Sequence, residues 1–191
     1  VDRRWQHRQA NLVFENSRIR VLEDDVVQPD GTSSSYTVIE ERCGAVVVVA
    51  LDDDGRVALV RQHRYPIDAT TLELPAGEVR PGVDPIEQAQ RELAEETGIH
   101  AGRLRIIGHF TPWPARVRRR CDVVFADQLS WSRLGTDNQE GVEAIDHVGM
   151  YTPDAIRDAI ATGKIFDGPT LSALTIFWAQ GDPSVGEPWE P

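Results

Sequence analysis

A chain of 191 residues, 40% hydrophobic and 27% charged, is long enough for one domain with a proper core, and its formal net charge of −11 argues against general nucleic-acid binding. No apolar run approaches the roughly twenty residues of a membrane helix, and no signal-peptide pattern is present, so a cytoplasmic protein is expected, neither inserted in a membrane nor secreted. The two cysteines, Cys43 and Cys121, lack metal-site spacing and give no disulfide framework, which leaves buried free thiols.

In chain order, Ile19 to Val27 and Ser35 to Glu41 pattern as strands separated by the turn-rich Gln28-Pro29-Asp30-Gly31-Thr32. Ala45 to Leu51 is apolar throughout and predicts a buried central strand. Asp52-Asp53-Asp54-Gly55 turns the chain into a strand over Val57 to Gln62; no calcium-ligand pattern follows the three aspartates, so they read as a hairpin turn. A helix is expected from Pro85, because Asp84 is a good N-cap, proline suits the first helical position and Glu87 favours the positive helix end. Gly98 supplies the stop. Leu104 to Phe110, Asp122 to Ala126 and Ala144 to Tyr151 follow as strands. Thr152-Pro153 caps a helix to about Thr162, and Pro169 opens a last helix to about Gln180. The fold class is α/β, with a strand-rich region over 1–44, a main domain over 45–180 and a frayed tail over 181–191.

The chemistry concentrates in the helix that starts at Pro85. Glu92, Glu95 and Glu96 lie three and four residues apart and project from one side, while Ile86, Ala89 and Leu93 form the apolar stripe that packs against the domain. Carboxylates that close repel one another unless something neutralises them, and a hard cation such as Mg²⁺ or Mn²⁺ requires clustered carboxylate oxygens.

The segment from Gly77 to Ile99 resembles the signature of the Nudix hydrolases: Gly, five residues, Glu, seven residues, Arg-Glu, an aliphatic residue, any residue, Glu-Glu, any residue, Gly, aliphatic. Gly77, Arg91, Glu92, Leu93, Glu95, Glu96, Gly98 and Ile99 match; Val83 stands where the family has Glu. With residue frequencies of a few per cent, chance gives such a match with a probability on the order of 10⁻⁵. The resemblance implies an α/β/α sandwich with a mixed sheet and a loop-helix-loop catalytic motif. It also implies metal ligands at Glu92, Glu96 and the Ala76 carbonyl, with Glu95 as a further or water-bridged ligand and Arg91 as a catalytic-motif arginine. The missing carboxylate at Val83 leaves Arg91 one partner fewer and predicts weaker metal binding or altered turnover rather than abolished chemistry.

The flanking stretches Arg61-Gln62-His63-Arg64-Tyr65-Pro66 and Leu72-Glu73-Leu74-Pro75-Ala76-Gly77 resemble the ADP-ribose pyrophosphatase branch. That likeness implies substrate contacts from Arg64, and from Arg61 and Glu73 in the same stretch. It also implies a general base from a late acidic loop, where Glu140 is the better match and Glu143 the runner-up. The products would be a nucleoside monophosphate and a phosphorylated partner, and relatives in the branch are commonly homodimers through N-terminal strands. The run Trp113-Pro114-Ala115-Arg116-Val117-Arg118-Arg119-Arg120 departs from the branch; its arginines, Arg116 first, suit an extra phosphate or a negatively charged sugar, since guanidinium forks match phosphate oxygens. Two further readings stay open: a Nudix enzyme for another nucleotide sugar or pathway intermediate, and a nucleotide sensor that keeps the fold with weakened catalysis.

Overall fold

The computed structural model describes residues 4–131 and 145–181. Eleven strands and three helices occupy the described residues. β1 (Gln6–Glu15), β2 (Ile19–Val27) and β3 (Ser33–Glu41) form an antiparallel sheet, extended by the short β9 (Val117–Arg118) parallel to β3. A mixed sheet runs in the order β7 (Ala76–Val79), β4 (Gly44–Ala50), β10 (Cys121–Trp131), β8 (Ile99–Phe110), with β4 and β10 parallel. A third, antiparallel sheet places β5 (Val57–Arg64) between β11 (Ile145–Tyr151) and β6 (Ala69–Glu73).

The unbroken apolar run of β4 is explained by burial on both faces. Val47 and Val49 pack with Val123, Phe125, Leu174 and Phe177 in one core, and Val46, Val48 and Ala50 pack with Ala89, Leu93, Val124 and Ala126 in another. The first core is covered by α3 (Gly168–Ala179) and α2 (Pro153–Ala161), the second by α1 (Pro85–Thr97). Helices on opposite faces of a mixed sheet give the α/β/α sandwich that the family resemblance implies. Among the described residues no helix is long and apolar enough to cross a membrane.

The expected caps are present. The Asp84 side chain accepts the Ile86 N–H at 2.8 Å, and Gly98 ends α1 at φ 71°. Asp52 accepts the N–H groups of Asp54 at 3.1 Å and Arg56 at 2.7 Å, so the aspartate run is a hairpin turn. Thr152 caps α2, while α3 is capped by Asp167, two residues before the proline expected to open it. β8 begins at Ile99, directly after the helix stop, and β10 reaches Trp131, so both exceed the predicted strands. β1, β6, β7 and β9 are additions to the predicted strands: β1 is exposed along nearly its whole length and the others are short, which leaves no clear alternating pattern in the sequence.

Candidate active site

α1 and the strand before it build one wall of a cleft of about 860 Å³. β7 runs antiparallel to β4 with Ala76 opposite Val47 and Gly77 opposite Val46, which fixes the loop backbone against the central strand. The Glu96 carboxylate, 5% exposed, accepts the Ala76 N–H at 3.2 Å and so ties the helix to this strand. Glu92 lies one turn earlier and lines the cleft with Glu95, which is exposed. A Cβ at Gly77 would fall on the end of the Glu92 side chain, which would have to swing aside. Gly77→Ala is therefore expected to displace the Glu92 carboxylate and lower Mg²⁺-dependent turnover about 10–100-fold, the range for groups that position metal ligands, as read by steady-state kinetics.

The opposite wall is built by β5 and β6. Arg64, at the end of β5, donates from Nε to both Glu73 carboxylate oxygens, at 3.0 and 3.1 Å, and also from Nη2 to Glu73 Oε2. Glu73 is 2% exposed and acts as the anchor; Arg64 is the member that reaches the cleft surface. Asp167 and Thr170 from the start of α3 close this side, with Thr170 Oγ1 accepting the Leu74 N–H at 3.0 Å.

Arg61 and Arg64 do not share a face. Residues three apart in a strand point to opposite sides, and the structure places Arg61 against Asp146 of β11, at 2.7 and 2.6 Å, outside this cleft. That pairing holds the Asp146 carboxyl below the usual carboxylate range, chiefly through hydrogen bonds from Arg61. The arginine run is divided in a similar way. Arg116 stacks on Tyr36 with its guanidinium carbon 4.9 Å from the ring centroid, so it does not line the cleft. Arg118 pairs with Glu40 at 3.0 Å and Arg120 with Asp122 at 2.7 Å. Arg119 is the member that enters the cleft, with Nη1 2.5 Å from Glu41 and a buried Nε that has no hydrogen-bond partner. Glu140 and Glu143 lie outside the described residues.

The donor set fits a hard divalent cation. Glu92, Glu95, Glu96 and the Ala76 carbonyl are all oxygen donors, and the glycine at 77 leaves room for the Glu92 side chain between loop and helix. Among the described residues no three acidic, histidine or cysteine side chains stand close enough to hold an ion together; Glu92 and Glu95 line the cleft, while the Glu96 carboxylate is buried against the Ala76 N–H.

Residues 41–174 match the NUDIX domain family. The chain belongs to the Nudix hydrolase family. It is 31% identical over 164 residues to the ADP-ribose pyrophosphatase of Bacillus subtilis (strain 168), covering 85% of this chain and 86% of that one. It is 38% identical over 152 residues to the ADP-ribose pyrophosphatase of Mycobacterium tuberculosis (strain ATCC 25618 / H37Rv), covering 79% and 72%. A crystal structure of an ADP compounds hydrolase superposes with a TM-score of 0.79 at 21% identity, over 95% of this chain and 97% of that one, which establishes the shared fold.

Cys121 and Gln88 are among the side chains of this Nudix hydrolase's cleft that the sequence does not mark as site residues. Cys121 lines it, yet burial pushes its thiol up to about 11, so it stays protonated at neutral pH and is no nucleophile. Gln88 accepts a hydrogen bond from Arg91 Nη2 and donates one to Glu92 Oε1. The signal for it was available, since 88, 91 and 92 are at spacings of three and four on a helix.

Proposed function

We propose that the chain hydrolyses the phosphoanhydride of a nucleoside diphosphate linked to a second moiety, with ADP-ribose as the first substrate and AMP and ribose 5-phosphate as products. The observation that carries this reading is the convergence, in one cleft, of Arg64 on its Glu73 anchor with Glu92 and Glu95 of the family motif. A divalent cation, Mg²⁺ or Mn²⁺, held by Glu92, Glu96 and the Ala76 carbonyl, with Glu95 as a further or water-bridged ligand, would neutralise the diphosphate and supply a water of lowered pKa. Arg64, preset by a buried carboxylate, offsets charge that develops on the phosphate oxygens. Arg91 holds the motif together through Gln88, and Glu140 is the proposed base that takes the proton of the attacking water.

A second reading concerns the moiety beyond the diphosphate. Arg119 and Arg80 line the same cleft, and guanidinium groups there suit a substrate with a further phosphate or carboxylate. Monophosphate release from ADP-ribose, a 2′-phosphorylated ADP-ribose, other nucleoside diphosphate sugars, dinucleotides and nucleoside triphosphates, with Mg²⁺, Mn²⁺ or EDTA, tests both readings. Chelator-sensitive cleavage of ADP-ribose above the rest supports the first; preference for the phosphorylated derivative supports the second. No cleavage with either metal overturns both and favours a nucleotide-sensing role.

The protein is further proposed to be a homodimer through its first strands. β1 is an edge strand, and Leu12, Val13 and Phe14 on it are each at least half exposed. An exposed apolar edge of this kind is normally covered. Light scattering that gives the mass of one chain would overturn the dimer.

A further inference from the structure

Gln88 is 4% exposed on α1, three residues before Arg91 and four before Glu92, so the three side chains share one helical face. Its carbonyl oxygen accepts from the Arg91 guanidinium, and its amino group donates to the Glu92 carboxylate. A primary amide is suited to this place because it accepts and donates at once, and so grips a cation with one end and an anion with the other without adding charge. The orientation of the amide follows from its neighbours: the oxygen must face the guanidinium and the nitrogen the carboxylate. Val83 lines the same cleft and has no polar side-chain atom to offer either group.

We infer that Gln88 is the positioning residue of this site: it clamps Arg91, aims Glu92 at the cleft, and so does the work of a carboxylate at position 83. This inference rests on the metal-dependent hydrolase reading above. A carboxylate in place of Val83 would give Arg91 an anionic partner and add a negative charge to the cleft; Gln88 holds Arg91 and Glu92 together and adds none. The aligned bonds from Arg91 through Gln88 to Glu92 polarise one another in the same direction, which strengthens the chain. The amide also limits the rotamers open to Glu92 before any ion arrives, so its loss is felt as weaker ion binding and slower turnover rather than as weaker substrate binding.

The test is Gln88→Met, which keeps length and packing and removes both hydrogen bonds. Mn²⁺ binding is measured by calorimetry without substrate, beside kcat, KM and Tm. The expected result is a Mn²⁺ Kd raised about tenfold and a kcat lowered about 10–100-fold, the range for groups that orient metal ligands, with KM nearly unchanged. Adding Val83→Glu to Gln88→Met is expected to recover part of both losses, because Arg91 regains a partner. A Mn²⁺ Kd and kcat within about twofold of the parent overturn the inference, as does a lowered Tm with unchanged Mn²⁺ affinity, or a double variant that recovers nothing. Should Gln88→Met fail to fold, Gln88→Ala removes the same amide with less bulk and is measured in the same way. If the unsubstituted chain itself binds no Mn²⁺, the metal-dependent reading fails, and the inference with it; if that chain binds and Gln88→Met binds equally well, the inference alone fails.

Discussion

Glu96→Gln is expected to leave the fold intact and to lower Mg²⁺-dependent hydrolysis by more than the roughly 100-fold that outer partners of metal ligands cost. The side chain is buried and its oxygen accepts the Ala76 N–H, a bond that a glutamine oxygen can keep. What disappears is the charge. A buried carboxylate is costly to maintain without compensation, so the metal-free variant should melt at the same temperature as the parent or above it. The parent should gain thermal stability on addition of Mn²⁺, whereas the variant gains little, since only the folded state offers the ligand set. Calorimetry that returns the parental Mn²⁺ affinity for Glu96→Gln would remove Glu96 from that set. Glu95→Gln, at an exposed position, should cost less than either Glu92→Gln or Glu96→Gln.

The second large effect separates the two members of one ion pair. Arg64→Ala withdraws the guanidinium from a carboxylate that is 2% exposed, whereas Glu73→Ala leaves behind an arginine side chain that is 40% exposed and can turn to water. Removing a partner from a buried charge costs about 3–5 kcal/mol; with Arg64 itself partly solvated, the low end, about 3 kcal/mol, is appropriate. For a chain of this size that is a fall in Tm of roughly 6–12 °C. Glu73→Ala should cost less stability and still impair turnover, because Arg64 loses the anchor that aims it at the cleft. Thermal melts rank the two variants, and a Tm for Glu73→Ala at or below that of Arg64→Ala would show that the carboxylate is not the costly member.

How much of this was legible in the sequence depended on how local each signal was. The start and stop of α1 rest on Asp84, Pro85 and Gly98, residues that act on their immediate neighbours, and both ends fall where those residues predict. The β4 run was legible for a similar reason, since burial on two faces leaves no room for a polar position. Arg64 is the arginine of this stretch that the resemblance carries to the substrate, with Arg61 second to it; the destination of Arg61 depends on Asp146, distant in sequence and invisible until β11 is paired with β5. In the arginine run, Arg116 was favoured as a substrate contact, but Tyr36 on another strand captures it and leaves Arg119 to face the cleft. The loss at Val83 is plain in the sequence. The bridge from Gln88 to Arg91 and Glu92 is not, because a buried glutamine in a helix has no type-specific signature; only its spacing betrays it.

The pairing of β7 with β4 has a consequence for how the site fails. The Ala76 and Gly77 backbone is laddered to Val46 and Val47, and the Val48 N–H donates to the Pro75 carbonyl at 2.8 Å, so the loop that carries the motif is stitched to a strand buried along nearly its whole length. Amides in such strands exchange with solvent only when the whole molecule opens. The ladder amides around Val46 to Val48 should therefore be among the slowest in hydrogen–deuterium exchange, and the motif loop should have no cheap excursion of its own. On warming, activity and the core should be lost together, in a single step.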